Sequence, residues 1–179
     1  IPNLIGLAAD NQNDFDKVLK EIDGTSNFSI LGGNIAVALS LACAKAAADS
    51  KKIPLFEYLS KDNDYSLPAP MANVLGGGAH AVGGTDIQEY LVTAFHDDFS
   101  TAIEANALVH KTVKNLLKEK FPNIALGKGD EGAWVAPLEN VEALELVVKA
   151  ADIVEQETGV EIRPGLDIAA SEFYDGEKY

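Results

Sequence analysis

The residues with the clearest chemical potential lie in the stretch GGGAHAVGGTDIQEY, residues 76–90. This stretch combines five glycines with His80, Gln88 and Glu89. An imidazole and a carboxylate are side chains that transfer protons in enzymes. A loop lined by glycine gives His80 few side chains to pack against, which favours a functional role. The alternative is a flexible turn between two strands, because glycine is the usual residue of strained connections.

The same stretch comes close to a phosphate-binding P-loop. Gly78, Gly83 and Thr85 have the spacing of G-x-x-x-x-G-K-[ST], but Gly84 stands where the motif requires lysine. Without that lysine the phosphates of a nucleotide lose their main charged contact. The sequence therefore argues against a nucleotide-binding P-loop.

Gln88 and Glu89 are neighbours at the start of a predicted strand, and neighbours on a regular strand point to opposite faces. Both can serve one site only if they lie at the first residues of the strand or on a bulge. Their position permits this. A solvated carboxylate is the alternative for Glu89.

Three further acidic residues stand in unusual settings. Asp130 and Glu131 lie in GKGDEGAWVAP, beside the only tryptophan, where a solvated acidic turn is the alternative. Asp167 lies in the apolar run GLDIAASEF. A buried carboxylate is costly unless it meets a metal, a base or hydrogen bonds, so we expect Asp167 to be functional or ion-paired. Oxygen ligands without a His or Cys cluster suit Mg²⁺ better than zinc.

The composition limits the partners. The chain has 179 residues, of which 47% are hydrophobic, and its net charge is −14. Such a charge repels nucleic acids and anionic membranes, so neither is an expected partner. An anionic substrate would need a divalent cation to reverse the local field. Cys43 is the single cysteine, and no apolar run reaches the roughly 18 residues of a membrane helix, which together predict a cytoplasmic protein.

The elements that must position these residues follow from hydrophobic periodicity. We predict helices over residues 13–22, 31–48, 54–60, 99–121 and 141–154, the second of them covered on most sides. Strands are predicted over residues 71–75, 87–94 and 160–169. The polar stretch KDNDYS, residues 61–66, predicts a domain boundary, which we place between residues 62 and 63. This order predicts an α/β layer or barrel with its functional residues at the C-terminal ends of the strands.

Four stretches, taken together, resemble enolases, the family of phosphopyruvate hydratases. They are IDGTSNFSILGGNIAVALSLACAKAAA, PAPMANVLGGGAHAVGGTDIQEYL, GDEGAWVAP and DIAASEFY, which follow the family's order. The resemblance implies that residues 1–62 are the helical C-terminal part of the enolase N-terminal domain. It implies that residues 63–179 are the first strands and helices of an enolase-type, TIM-like β/α barrel.

The resemblance also implies an activity, the reversible dehydration of 2-phosphoglycerate to phosphoenolpyruvate in glycolysis and gluconeogenesis. It places His80 in a mobile substrate loop, and Gln88 and Glu89 beside the substrate and its magnesium. Glu131 would act with Glu89 on the departing hydroxyl, and Asp167 would be a ligand of the tighter Mg²⁺. The full-length enzyme would be a homodimeric lyase.

The resemblance covers only the middle of the family pattern. Two carboxylate ligands, the lysine base and the phosphate-binding arginine fall outside it, so we expect the chain alone to be inactive. The alternative is a non-catalytic enolase-like paralogue or fragment that acts as an interaction module or a weak Mg²⁺-binding module. The strand over residues 160–169 is expected to expose an unpaired edge, which predicts a larger parent protein or association between copies.

Overall fold

A computed structural model of the chain describes residues 2–60 and 65–179. The chain divides into two compact units, Ile1–Ser66 and Leu67–Tyr179. The predicted domain boundary between residues 62 and 63 lies outside the described residues.

The first unit is helical. A 3-10 turn, Pro2–Leu4, precedes helices α1 (Gln12–Asp23), α2 (Gly33–Ser50) and α3 (Leu55–Leu59). The Asn11 side chain accepts a hydrogen bond from the backbone of Asp14 at the start of α1, and Gly24 ends that helix with a φ of 71°. These capping residues explain why the predicted helix 13–22 is found close to its predicted bounds.

The Asp23 carboxylate organises the connection between α1 and α2. It is 1% exposed and accepts hydrogen bonds from the backbone N–H groups of Thr25, Ile30 and Leu31 at 3.1, 3.0 and 2.6 Å. The Thr25 hydroxyl also donates to it. Burial raises the pKa of Asp23, but these hydrogen bonds outweigh burial and lower the pKa below its ordinary value.

The prediction that α2 is covered on most sides is wrong. Its buried face consists of small residues, among them Ala44, Ala47 and Ala48. The larger Val37 and Leu41 remain 59% and 49% exposed. Small side chains let α2 pack closely through one face, which leaves the larger apolar residues outside the packed surface.

The second unit combines an open sheet with two long helices. Its strands are β1 (Met71–Gly76), β2 (Glu89–Phe95), β3 (Gly127–Lys128), β4 (Trp134–Val135) and β5 (Glu161–Asp167). Its helices are α4 (Phe99–Lys120) and α5 (Asn140–Thr158), with short 3-10 turns at Gly78–His80 and Ala170–Phe173. The strand order is β3-β4-β1-β2-β5.

The α/β content is as predicted, but the structure does not confirm a barrel. The sheet over residues 65–179 is open, with β3 and β5 at its edges. β2 runs antiparallel to β1 and to β5, while β4 runs parallel to β1. The described residues 77–88 join β1 to β2 through a loop with one 3-10 turn and without an α-helix. Such a connection suits antiparallel pairing, whereas parallel neighbours usually need a helical crossover.

The core of this unit lies where α4 and α5 pack against the sheet. Asp98 caps α4 by accepting from the backbone of Thr101, and a capping box of Glu139 and Glu142 begins α5. Fully buried residues come from the sheet and both helices, including Val74, Leu75, Tyr90, Val92, Val109, Val113, Leu117, Val147 and Val154. Their burial is the main source of stability for this unit.

Over residues 2–60 and 65–179, we find no helix with both the length and the apolar character needed to cross a membrane.

Candidate active site

The candidate site lies at one edge of the sheet, where three strands end or begin. Because β2 is antiparallel to its neighbours, its first residue lies beside the last residues of β1 and β5. Glu89 pairs in register with Gly76 on one side and with Asp167 on the other. Gly76 and Asp167 are the last residues of β1 and β5, whereas Glu89 stands at the N-terminus of β2.

The glycine-rich connection between β1 and β2 folds back on itself. The Gly77 N–H donates to the Gln88 carbonyl at 2.9 Å, and the Gly78 N–H donates to the Thr85 carbonyl at 2.7 Å. A Cβ atom on Gly77 would lie 2.1 Å from the Thr85 hydroxyl oxygen. Glycine at this position is therefore required by close packing within the loop. His80 ends the 3-10 turn of this loop.

Asn140, the first residue of α5, fixes the far end of the same loop. Its side-chain oxygen accepts from the backbone N–H groups of Asp86 and Ile87 at 3.0 and 3.3 Å. It also lies 3.4 Å from the Tyr90 hydroxyl. These contacts hold the residues that lead into Gln88 and Glu89.

The GDEG segment is the tip of a small hairpin formed by β3 and β4. Lys128 pairs with Trp134, and the Gly132 N–H donates to the Gly129 carbonyl at 3.0 Å. Gly132 has a φ of 83°, which glycine adopts readily. The hairpin places Glu131 at its tip. This hairpin was not predicted from the sequence, although a glycine-flanked acidic turn followed by an aromatic and a β-branched residue could have indicated it.

His80, Glu89 and Glu131 come together although 51 residues separate the first from the last. The His80 Nδ1 lies 4.0 Å from an oxygen of Glu89 and 4.0 Å from an oxygen of Glu131. The candidate ligand atoms of the three residues all lie within 4.8 Å of one another. Their side chains are 37%, 16% and 48% exposed, respectively, so the cluster is open to a small molecule.

Glu89 has a perturbed acidity. Burial raises its pKa, and the negative charge and hydrogen bonding of Glu131, followed by the charge of Asp167, raise it further. The nearby His80 acts in the opposite direction and does not reverse the effect. A carboxylic acid that keeps its proton to a higher pH is suited to general acid chemistry.

Asn73 contacts this cluster but was not among the candidate residues predicted from the sequence. Its amide nitrogen donates to a Glu131 oxygen at 3.1 Å. Asn73 lies on β1, next to the irregularity in the β1–β2 register between Asn73 and Leu75. A polar amide inside the otherwise apolar strand MANVL was the signal that could have drawn attention to it.

Asp167 is placed differently from the other acids. It is exposed at the end of β5, and its Oδ1 accepts from the Ala169 N–H at 2.9 Å. The expectation of a buried, costly carboxylate is therefore wrong, because an edge strand leaves its last residue open to solvent. Asp167 faces Glu89 across the ladder without joining the His80–Glu89–Glu131 cluster.

His110 lies on α4 and contacts the hairpin that carries Glu131. Its Nε2 lies 3.0 Å from the Gly132 carbonyl oxygen. The Trp134 indole N–H donates to the His110 carbonyl at 2.9 Å. No motif surrounds His110 in the sequence, so only the packing of α4 against β4 brings it to this loop.

The donor set fits a divalent cation. Two carboxylates and an imidazole offer ligand atoms within 4.8 Å of one another, and Asp167 adds a third carboxylate at the same sheet edge. Burial and then the nearby carboxylates of Glu131 and Asp167 raise the pKa of Glu89, and a bound cation would relieve the repulsion between these carboxylates. Glu89, Glu131 and Asp167 supply the oxygen atoms that Mg²⁺ prefers.

The second unit has an α/β fold, and carboxylates converge beside a glycine-rich loop. This arrangement suits a protein that carries out acid–base chemistry with a hard cation. Comparison with known proteins gives the family. The family described as "Enolase, C-terminal TIM barrel domain" matches residues 64–179, and the family described as "Enolase, N-terminal domain" matches residues 1–59. The chain therefore belongs to the enolase family.

Curated relatives support this assignment over nearly the whole chain. Over 97% of its own length, the chain is 51% identical to the enolase of Methanothermobacter thermautotrophicus. Over 98% of its own length, it is 50% identical to the enolase of Methanocorpusculum labreanum. It is 46% identical to the enolase of Archaeoglobus fulgidus over 98% of its length. The matched region spans 42% to 44% of the length of these three relatives.

Proposed function

We propose that this chain is part of an enolase that converts 2-phosphoglycerate reversibly into phosphoenolpyruvate and water. The observation that carries the proposal is the convergence of His80, Glu89 and Glu131 at one sheet edge in a member of the enolase family. Membership of the enolase family supports the reaction, and the geometry supports a choice of residues for one part of it.

That part is the departure of the hydroxyl group. Dehydration removes a proton from the carbon next to the carboxylate and expels hydroxide from the adjacent carbon. The leaving hydroxide needs a proton to depart as water. Glu89 holds a proton to a higher pH than an ordinary glutamic acid, and Glu131 lies close enough to share the task. We assign both to the departing hydroxyl, with His80 binding beside them in the loop.

The remaining contacts follow the same reasoning. Gln88 precedes Glu89 and is assigned to the substrate, while Asp167 at the end of β5 is assigned to Mg²⁺. Bound Mg²⁺ would neutralise negative charge on the substrate, which the acidic chain otherwise repels. A base must remove the carbon-bound proton, and we propose that no lysine of residues 1–179 is this base. The chain alone is therefore proposed to be inactive.

Membership of the family also supports three proposals about the complete polypeptide. We propose a homodimer, a cytoplasmic location and a phosphorylated three-carbon acid as substrate. Each belongs to the whole enzyme, of which this chain would form the middle part.

Replacement of Glu131 tests the proposal directly. In the complete polypeptide we expect Glu131→Gln to lower kcat for phosphoenolpyruvate formation by about 10² to 10⁴-fold, the usual contribution of a general acid or base. Asp130→Asn is the matched control, because Asp130 is the neighbouring exposed acid of the same hairpin tip. It should retain nearly full activity.

Two outcomes would contradict the proposal. Equal activity of the Glu131→Gln and Asp130→Asn enzymes would remove Glu131 from the chemistry. A complete polypeptide that binds Mg²⁺ in a calorimetric titration but does not turn over 2-phosphoglycerate would instead support the non-catalytic Mg²⁺-binding alternative.

A further inference from the structure

We propose that His110 is a positioning residue for Glu131, acting through the carbonyl group of Gly132. The inference rests on the proposed function in so far as Glu131 takes part in the reaction. The His110 Nε2 lies 3.0 Å from the Gly132 carbonyl oxygen. A carbonyl oxygen only accepts, so the Nε2 atom carries the hydrogen and donates it.

Gly132 directly follows Glu131, so a bond to the Gly132 carbonyl holds the backbone next to Glu131. On its other side, the Gly132 N–H donates to the Gly129 carbonyl at 3.0 Å, and the Gly129 N–H donates to the Ala133 carbonyl at 3.0 Å. These two bonds close the hairpin tip upon itself. The bond from His110 is of a different kind, because it ties the tip to helix α4.

His110 is itself held in place by Trp134. The Trp134 indole donates to the His110 carbonyl at 2.9 Å, and the two rings stack with centroids 5.2 Å apart at an angle of 30°. Trp134 is 7% exposed and pairs with Lys128 and Leu75 in the sheet. The imidazole is thus anchored to the same strand that leaves the hairpin tip.

The Glu131 side chain is held from the opposite direction. Asn73 on β1 donates to its carboxylate at 3.1 Å. Glu131 is about half exposed, so burial does not fix its position. With the backbone held through Gly132 and the carboxylate held by Asn73, Glu131 is kept at 4.0 Å from the His80 ring nitrogen.

The test compares two replacements of His110. His110→Gln keeps an N–H donor at nearly the reach of Nε2, whereas His110→Phe keeps a ring that can stack on Trp134 but removes the donor. In the complete polypeptide we expect His110→Phe to lower kcat by about 10 to 100-fold with little change in KM, because a small misplacement of a catalytic group has effects of this size. His110→Gln should recover most of kcat.

A second measurement uses the 179-residue chain and needs no activity. The Gly132 N–H bond to the Gly129 carbonyl remains in His110→Phe, but the hairpin tip loses its tie to α4 and should open more often. We therefore expect the Gly132 amide to exchange its hydrogen about tenfold faster in His110→Phe than in the unchanged chain. His110→Gln should exchange at close to the unchanged rate. In the unchanged chain, ¹⁵N spectroscopy of His110 should show that Nε2 carries the hydrogen. This measurement does not depend on whether either variant folds.

The outcomes separate this inference from the proposed function. If His110 Nε2 proves unprotonated, or if the two variants exchange Gly132 alike, the inference is overturned. If the exchange rates differ but both variants keep full kcat, His110 holds the loop without positioning Glu131 for catalysis, which also overturns it. If the unchanged complete polypeptide lacks enolase activity, the proposed function fails, and the exchange comparison alone then decides whether His110 holds the hairpin.

Discussion

Glu89 is the least exposed member of the His80–Glu89–Glu131 cluster, and its surroundings disfavour its charged form. Burial, Glu131 and Asp167 all raise its pKa. A carboxyl group whose pKa is higher in the folded state than in the unfolded state binds its proton more tightly when folded. Ionised Glu89 therefore costs stability above the folded-state pKa, and this cost disappears as the pH falls below the unfolded-state value.

Glu89→Gln should accordingly stabilise the chain at neutral pH. We expect its melting temperature, measured by circular dichroism, to exceed that of the unchanged chain by a few degrees at pH 7. The difference should vanish below about pH 4, where both states are protonated. Asp130→Asn, which removes an exposed acid nearby, should show little change at either pH. A lower melting temperature for Glu89→Gln at neutral pH would contradict the assigned pKa direction.

The contact from Asn73 to Glu131 predicts a separate loss of activity. A hydrogen bond to a charged group contributes about 1.5 to 3 kcal/mol, so Asn73→Ala should lower kcat of the complete polypeptide by about 10 to 100-fold. Steady-state kinetics with 2-phosphoglycerate would measure this. Asn123→Ala, at an exposed amide after α4, serves as the control. Full activity of Asn73→Ala would show that Glu131 does not depend on this amide.

At this scale the sequence predicted the charged members of the candidate site but not the groups that contact them. His80, Glu89 and Glu131 were recognisable because their residue types and glycine-rich settings are unusual. Asn73 stands out only as a polar amide in an apolar strand, and no motif surrounds His110. They reach Glu131 across 58 residues and the Gly132 carbonyl across 22 residues, contacts that no local pattern encodes.

Among the elements, the connection between β1 and β2 shows why two adjacent glycines differ. A Cβ atom on Gly77 would lie within 2.6 Å of three atoms of Thr85 and Ile87, two of which are backbone oxygens. A Cβ atom on Gly76 would lie 3.5 Å from the Ala133 side chain, an ordinary contact.

Gly77→Ala should therefore destabilise the second unit by about 1 to 3 kcal/mol, the range typical of overpacking. Gly76→Ala is the matched control, and it should change stability far less. Urea unfolding followed by Trp134 fluorescence would compare them, since Trp134 reports on the second unit alone. Similar losses in both variants would show that the loop does not have the close packing described for Gly77.

The loop after α1 depends on a single carboxylate. Because hydrogen bonds from the backbone and Thr25 lower the pKa of Asp23 despite its burial, ionised Asp23 stabilises the first unit at neutral pH. This contribution is present above the unfolded-state pKa of about 3.9 and is lost as the pH falls through the lower folded-state pKa.

Asp23→Asn should lower the melting temperature at neutral pH, with a smaller difference in strongly acidic solution. Thermal melts of the variant and the unchanged chain across this pH range would measure the effect. Asp10→Asn removes an exposed acid of the same unit and is the control. A pH-independent difference between Asp23→Asn and the unchanged chain would mean that the carboxylate's charge is not the stabilising feature.

The elements were predictable where their ends carry strong local signals. Gly24 and Gly159 end α1 and α5 in the left-handed conformation, as glycine after a periodic segment suggests. The strands β3 and β4 have two residues each, too few for alternation to be visible. The exposed face of α2 was misjudged because composition does not reveal which neighbours an element meets.

At the scale of the whole chain, β5 lies at an open edge of the sheet. One side of it pairs with β2 along its full length, and within the described residues no strand pairs with the other side. Unpaired edges promote pairing with other chains, although Pro164 and the charged Glu161 and Arg163 weaken that tendency.

We therefore expect the 179-residue chain to associate as its concentration rises. Light scattering coupled to size-exclusion chromatography would measure the mass across a concentration series. Leu166→Lys places a further charge on β5 and should shift the association to higher concentration. A constant mass of 19.0 kDa at every concentration would show that this edge does not pair.

The sequence by itself determined the family and the acidic character, and it named the charged residues of the candidate site. Motifs, composition and caps are local properties, and local properties can be read from the order of residues. The tertiary structure decided that β2 runs antiparallel and that Asp167 is exposed. It also decided that Asn73 contacts the Glu131 carboxylate and that His110 contacts the Gly132 carbonyl. These features depend on contacts between residues far apart in the chain, because strand pairing and helix packing form only when the whole unit folds.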